Sequence, residues 1–233
     1  MVFQDGPLLR HLLNATQGKS KFDSSQLPKS VQQTQFLESL ESANLLEPGV
    51  DYEWSFCGFA KVQVAIRALQ LGEATRPILN SLTWQEFEEF VAHVLTFHEF
   101  QVKHRFRFSL SRRYEIDIVA GRNPFLLCID CKQFGVRLGK ASTLRTASEK
   151  QVIRTHALAN HLAQFQADLG ILDWQDPLLL PVLVTMLLED LQFHEGIPVV
   201  PAVNLNSFLL GFEEQLDQLR IIHPSASRQT RLF

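Results

Sequence analysis

The sequence predicts an α/β fold in which a mixed sheet is flanked by helices in the order αβββαββα, preceded by a smaller, mainly helical module. Three observations carry that reading. Apolar residues between 84 and 98 recur at helical spacing; two apolar runs follow, 116–120 and 125–129, separated by the turn Gly121-Arg122-Asn123-Pro124; a second helical pattern then leads into apolar runs over 179–188 and 197–203. The 233 residues, 45% of them hydrophobic and 18 of them Phe, suffice for a sizeable packed core. The N-terminal module is placed at 1–80 and the α/β domain at 81–233.

In the N-terminal module, a short helix is predicted over 7–13. Residues 14–30, rich in Gln, Ser, Lys and Asn, read as a loop, and Val31, Phe36, Leu37, Leu40 and Ala43 then recur at helical spacing. Glu47-Pro48-Gly49 marks a turn. Tyr52, Trp54 and Phe56 alternate with Asp51, Glu53 and Ser55, as in a half-exposed strand, and a further helix over 59–71 is closed by Gly72. Helices followed by a short aromatic strand are compatible with a winged-helix-like module. A helical packing or dimerisation module is the alternative, because the region is slightly acidic and lacks a basic helix.

The α/β domain opens at Thr83, an N-cap with Glu86 three residues later as its capping-box partner. Trp84, Phe87, Val91, Val94, Leu95 and His98 form the apolar stripe of the helix that follows. Residues placed at 100° intervals put Glu88 inside that stripe and Glu86 and Glu89 outside it. Strands are expected over 101–110, 114–120 and 125–133, then a basic loop over 134–141. A long helix over 142–165 should turn Leu144, Ser148, Gln151, Thr155, Leu158 and Leu162 inward. Asn206 or Ser207 caps a terminal helix carrying Phe208, Phe212, Leu216 and Leu219.

Charge is unevenly distributed. The net charge is -3, yet residues 101–154 hold 12 Lys or Arg against 4 acids, while the rest of the chain holds 10 against 21. Positive charge gathered around the two motif strands would attract a polyanion; a solvated basic face is the plainer reading. Three cysteines are too few for a disulfide framework, and no charged-then-apolar leader opens the sequence, so a reducing, cytoplasmic setting is expected. The longest apolar stretch, 178–188, is far short of the roughly 20 residues a membrane span requires.

The chemistry sits in Glu115-Ile116-Asp117-Ile118-Val119 and Ile129-Asp130-Cys131-Lys132. Strand alternation points Asp130 and Lys132 to one side and Ile129 and Cys131 to the other. Charges in strands that should be buried are costly unless they pair or hold a metal. Glu88, Asp117, Asp130 and Lys132 are the parts of a phosphodiester-hydrolysing site: carboxylates that hold Mg²⁺ or Mn²⁺, and a Lys that orients or deprotonates water. An internal ion-pair network of Asp117, Asp130 and Lys132 is the structural alternative. Cys128 and Cys131, three apart on a strand, face opposite ways and lack a second Cys pair, so they read as core residues and not as a zinc or redox site.

These residues resemble the PD-(D/E)XK nuclease superfamily, the restriction-endonuclease-like fold. Trp84-Gln85-Glu86-Phe87-Glu88-Glu89-Phe90-Val91 looks like the first helix of its Mrr-type and Holliday-junction-resolvase-like branches, and the two strand motifs are similar to their second and third strands. The resemblance implies a DNA endonuclease using Mg²⁺ or Mn²⁺, with RNA as the alternative substrate and a homodimer compatible with the fold. Glu88, Asp117 and Asp130 would be ligands together with the Cys131 backbone carbonyl, Lys132 the catalytic amine, and Gln151 a match for a helix Gln of some branches. No Pro precedes Asp117, and Asp130 stands where Glu is commoner. A non-catalytic nucleic-acid-binding or assembly module retaining the fold is the rival reading. Arg105-Phe106-Arg107-Phe108 and Arg112-Arg113-Tyr114 interleave cations with aromatics, either for phosphate contact or as a half-buried strand with a charged outer face. Lys140, Arg145, Lys150 and Arg154 would extend that track.

Overall fold

The structure, a computed structural model, describes residues 5–28, 31–133 and 140–225, with the side chains of Val31 and Lys140 outside the description. The basic loop expected over 134–141 therefore lies mostly outside the described residues. The chain divides into two compact units, Met1–Phe90 and Val91–Phe233. The division falls inside a helix.

The first unit begins with α1 (Gly6–Ala15), where the Leu8 amide donates to Asp5 Oδ1 at 3.0 Å and Pro7 occupies the first turn. Residues 14–30 are not all loop. Phe22, 4% exposed, anchors a three-residue strand, β1 (Lys21–Asp23), and Asp23 caps a 3₁₀ turn at Ser24–Gln26. After α2 (Val31–Ser42) come β2 (Leu46–Pro48) and β3 (Glu53–Phe56), which with β1 form an antiparallel sheet in the order β1-β3-β2. Helices α3 (Ala60–Gln70) and α4 (Thr75–Ser81) follow, and then α5 (Trp84–Phe97), which crosses the division between the units.

Lys61 on α3 is fully buried. Its Nζ donates to the carbonyls of Thr16 and Ser81, both at 2.7 Å, and of Lys19 at 3.2 Å, and lies 3.4 Å from Glu86 Oε2. Desolvation pulls the ammonium below its ordinary pKa, and Glu86 opposes that pull. The capping box at the start of α5 forms as the spacing requires: the Glu86 amide donates to Thr83 Oγ1 at 3.2 Å, and the Thr83 amide to Glu86 Oε2 at 2.7 Å. Glu86 is consequently buried, against the helical wheel, because one carboxylate serves both the cap and Lys61. Glu88 is buried as expected, whereas Trp84, placed in the apolar stripe, is exposed in the first turn.

The second unit is built on a six-stranded mixed sheet in the order β4-β5-β6-β7-β9-β8. Its strands are β4 (Gln101–Ser109), β5 (Arg113–Arg122), β6 (Phe125–Lys132), β7 (Leu178–Thr185), β8 (Phe193–His194) and β9 (Ile197–Pro201). Pairs β4/β5 and β5/β6 are antiparallel, β6/β7 and β7/β9 parallel. The parallel β6/β7 pair requires a crossover, supplied by α6 (Lys140–Asn160) and the short α7 (Gln166–Leu169). The fold is mixed α/β, as read, with α7 and the two-residue β8 added.

Helix α6 turns inward all of the described residues expected of it: Leu144, Ser148, Gln151, Thr155 and Leu158 are buried, and Leu162 follows in a 3₁₀ turn. Only two of the five on the helix are apolar. The hydroxyls of Ser148 and Thr155 donate to the carbonyls four residues back, at 3.0 and 2.9 Å, which satisfies them inside the core. Around them Val119, Leu126, Cys128, Val152, Leu158 and Leu179 form one apolar cluster. The terminal helix is shorter than expected: α8 (Leu205–Gly211) ends at its glycine and passes into a 3₁₀ turn, although Phe212 and Leu219 are still buried.

Candidate active site

Strands β5 and β6 bring their acids to one level. Their ladder runs from Arg122↔Phe125 to Ile118↔Ile129, so Asp117 and Asp130 follow immediately where it ends. Beyond that end, the Cys131 amide donates to Asp117 Oδ2 at 2.9 Å. On the other side of β5, the β4 register passes from His104↔Ile118 to Phe106↔Ile116, and Arg105, opposite Asp117, has φ 46°. A non-glycine residue in the left-handed region is a strained feature of the kind that gathers at functional sites. Asp117 thus lies at a break in the regular sheet on both sides.

Asp130 is 2% exposed and meets two cations. Arg154 Nη1 lies 2.6 Å from Oδ1, and Lys132 Nζ approaches Oδ2 at 2.5 Å as an ion pair. The Lys132 approach lacks hydrogen-bond geometry, so Oδ2 is buried with a counter-charge and no hydrogen bond. Gln151 is fully buried: its Nε2 donates to the Cys128 carbonyl at 2.9 Å, and its Oε1 accepts from Arg154 Nη1 at 3.3 Å. One relay of hydrogen bonds therefore runs from β6 through Gln151 and Arg154 on α6 back to Asp130 on β6.

Burial pushes the Asp117 carboxyl above its ordinary pKa, and the neighbouring Asp130 charge pushes it further. The Cys131 amide, Lys132 and Arg154 pull it back. A half-buried carboxyl raised further by a second carboxylate, and a buried oxygen without a hydrogen bond, are features that a bound cation would relieve. The hard oxygen donors of Asp117, Asp130 and the Cys131 carbonyl suit Mg²⁺ or Mn²⁺. Among the described residues, no group of three His, Cys, Asp or Glu is placed to hold one ion. Glu88 is buried on α5 and belongs to the first unit.

A cavity of about 500 Å³ opens beside these groups, lined by Asp130, Lys132, Thr143, Thr146, Lys150 and Arg154, with Ser142 and Ala147. Residues 143, 146, 147, 150 and 154 repeat every three or four positions, so one stripe of α6 supplies its wall. Of the track proposed from sequence, Lys150 and Arg154 reach the cavity, Arg145 is exposed but does not line it, and the Lys140 side chain lies outside the described ones. Arg107 is paired with Glu115 at 2.9 Å, Arg112 lies 4.8 Å above the Tyr114 ring, Arg113 is exposed, and Arg105 is half-buried. The interleaved aromatics pack inward, Phe106 and Phe108 against Phe165, and Phe108 on Tyr114. Cys128 is fully buried, which pushes its thiol up to about 12, and it has no reactive character. Cys131, expected in the core, is half-buried because its amide end joins the site. No described helix is long and apolar enough to cross a membrane.

The Arg154–Asp130 pair escapes a sequence reading because it joins residues 24 apart. Its one local signal is the i, i+3 spacing that puts Arg154 beside the inward Gln151.

No family model matches the chain. Two solved structures of low likeness are protein VC1899 from Vibrio cholerae, at 14% identity and TM-score 0.37, and Can2 from Sulfobacillus thermosulfidooxidans in complex with cyclic tetra-adenylate, at 11% and 0.36. They are matched over 91% and 89% of this chain but 52% and 50% of their own, so the chain spans about half the length of each. At those scores neither bears on fold or function. An uncharacterized protein of Archaeoglobus fulgidus is 36% identical over 129 residues, which cover 55% of this chain and 90% of that protein. On that identity and coverage, the chain belongs to the family of the uncharacterized Archaeoglobus fulgidus protein.

Proposed function

We propose that the chain is a divalent-metal-dependent nuclease of the PD-(D/E)XK type that hydrolyses phosphodiester bonds in DNA. The observation that carries the reading is that Asp130 and Lys132 line a cavity whose other wall is hydroxyl-bearing and cationic, while Asp117 is tied to the amide of Cys131, the residue between them. Asp117, Asp130 and the Cys131 carbonyl would hold the ion. A bound Mg²⁺ supplies Lewis-acid stabilisation of the phosphoryl oxygens and lowers the pKa of a bound water.

The chain's own residues do the rest. Lys132 Nζ, held at Asp130, would orient water and offset charge on the phosphate. The Cys131 amide holds one Asp117 oxygen, which restrains the carboxylate's orientation. Thr143, Thr146 and Lys150 offer donors to the phosphates flanking the cleaved bond. The hydroxyls and ammonium of the wall are chemically matched to a phosphodiester backbone.

The second reading is a nucleic-acid-binding module without catalysis. It is favoured by one observation, that both oxygens of Asp130 already face cations. Incubation of the purified protein with supercoiled, single-stranded and branched DNA and with RNA, in Mg²⁺, Mn²⁺ or EDTA, separates the readings. Metal-dependent cleavage that Asp117→Ala and Lys132→Ala abolish supports the enzyme. Salt-sensitive binding without cleavage of any substrate supports the module, and cleavage of RNA alone moves the substrate assignment.

A further inference from the structure

Arg154 does not belong to the motif that defines the candidate site, yet it donates a short hydrogen bond to the motif's most buried acid. Its guanidinium is 2.6 Å from Asp130 Oδ1 and is propped by Gln151 Oε1 at 3.3 Å, which is itself anchored to the Cys128 carbonyl. Two carboxylates, Asp117 and Asp130, are set against two cations, Lys132 and Arg154. Without a metal the group is neutral, and a buried carboxylate is tolerated because it is paired. A divalent cation added to the same group makes it doubly positive. It also competes with the guanidinium for the charge of the same carboxylate.

We propose that Arg154 neutralises Asp130 in the metal-free protein, yields that carboxylate when the ion binds, and then serves the phosphate in the adjoining cavity. The inference rests on the metal-nuclease reading above and deepens it. Arg154 lines the cavity together with Asp130, so a released guanidinium faces the space where the substrate would lie. The doubly positive group then matches the charge that accumulates on phosphorus oxygens in the transition state. Arg154 is 30% exposed along its side chain, so its head can leave the acid without unfolding α6.

The consequence has an unusual sign. Loss of a residue that merely supports the site weakens metal binding, whereas loss of a competing cation strengthens it. Mn²⁺ affinity is measured by titration of the full chain, without nucleic acid, for wild type, Arg154→Met and Arg154→Lys. Arg154→Met is expected to bind Mn²⁺ about tenfold more tightly, the size of one charge-assisted contact removed from competition. Its metal-free melting temperature should fall and be restored by saturating Mn²⁺, and its KM for DNA should rise. Arg154→Lys should stay within about twofold of wild type in Mn²⁺ affinity, because the positive charge is kept. Unchanged or weakened Mn²⁺ binding by a folded Arg154→Met overturns this inference and leaves the nuclease reading standing. Absence of Mn²⁺ binding by the wild-type protein overturns both.

Discussion

Asp117 Oδ2 accepts the Cys131 amide at 2.9 Å, one residue beyond the last regular pair of the β5/β6 ladder. A side chain thereby takes over a strand amide, and two adjacent strands are tied together at the level of their acids. The bond fixes a carboxylate that burial and Asp130 would otherwise keep protonated to a higher pH. Stability and the candidate activity are therefore set against each other at Asp117.

Replacement of Asp117 by Asn tests that opposition. The folded pKa of Asp117 lies above its ordinary 3.8, so between the two values the folded state binds more protons than the unfolded, and stability falls as pH rises. Asp117→Asn keeps an oxygen for the Cys131 amide and removes the charge. In metal-free buffer it should melt a few degrees above wild type at pH 7, and the gain should disappear below pH 3.8. Thermal melts of the two proteins from pH 3 to pH 8 provide the check, and an unchanged or lower melting temperature at pH 7 counts against the burial argument.

Lys61 is the most demanding residue of the first unit, since its ammonium serves three carbonyls and Glu86. Lys61→Met leaves those groups without a donor, and the expected cost is about 3–5 kcal/mol in urea unfolding. The folded pKa lies below 10.5, so the unfolded chain holds a proton that the folded chain releases, and this group makes stability rise with pH up to 10.5. The rise should be absent from the Met variant. A loss under 1 kcal/mol contradicts the assigned role.

Gln151 holds α6 to β6 through the Cys128 carbonyl and props Arg154. Gln151→Leu should cost about 1–2 kcal/mol, the value of a buried hydrogen bond whose acceptor is left in place. Chemical denaturation measures the cost; a neutral substitution there means the relay carries no stability.

Lys150 lines the cavity without closing it. If it contacts a phosphate, Lys150→Gln lowers the slope of log affinity against log salt by about one and weakens binding to every DNA sequence alike. Binding isotherms at several salt concentrations test this, and an unchanged slope removes Lys150 from the interface.

Much of this architecture was legible in the chain. Strands β5 and β6 fall within two residues of their expected ends, because two continuous apolar runs flank a turn. The inward face of α6 followed from spacing alone, even though Ser148, Gln151 and Thr155 are polar. What was not legible depends on partners distant in sequence. Glu86 is buried because of Lys61, and Asp130 meets Arg154 because a crossover helix returns over its own strand. Helix α4 and strands β1, β2 and β8 carry too few residues to show a period.

The most direct measurement is cleavage of end-labelled DNA, single-stranded and duplex, by wild type and Asp117→Asn in Mg²⁺ and in EDTA. Wild type should cut in Mg²⁺ and not in EDTA, while Asp117→Asn, folded and at least as stable, should bind the DNA and leave it intact. Cleavage that persists in EDTA, or that Asp117→Asn performs at the wild-type rate, contradicts the account.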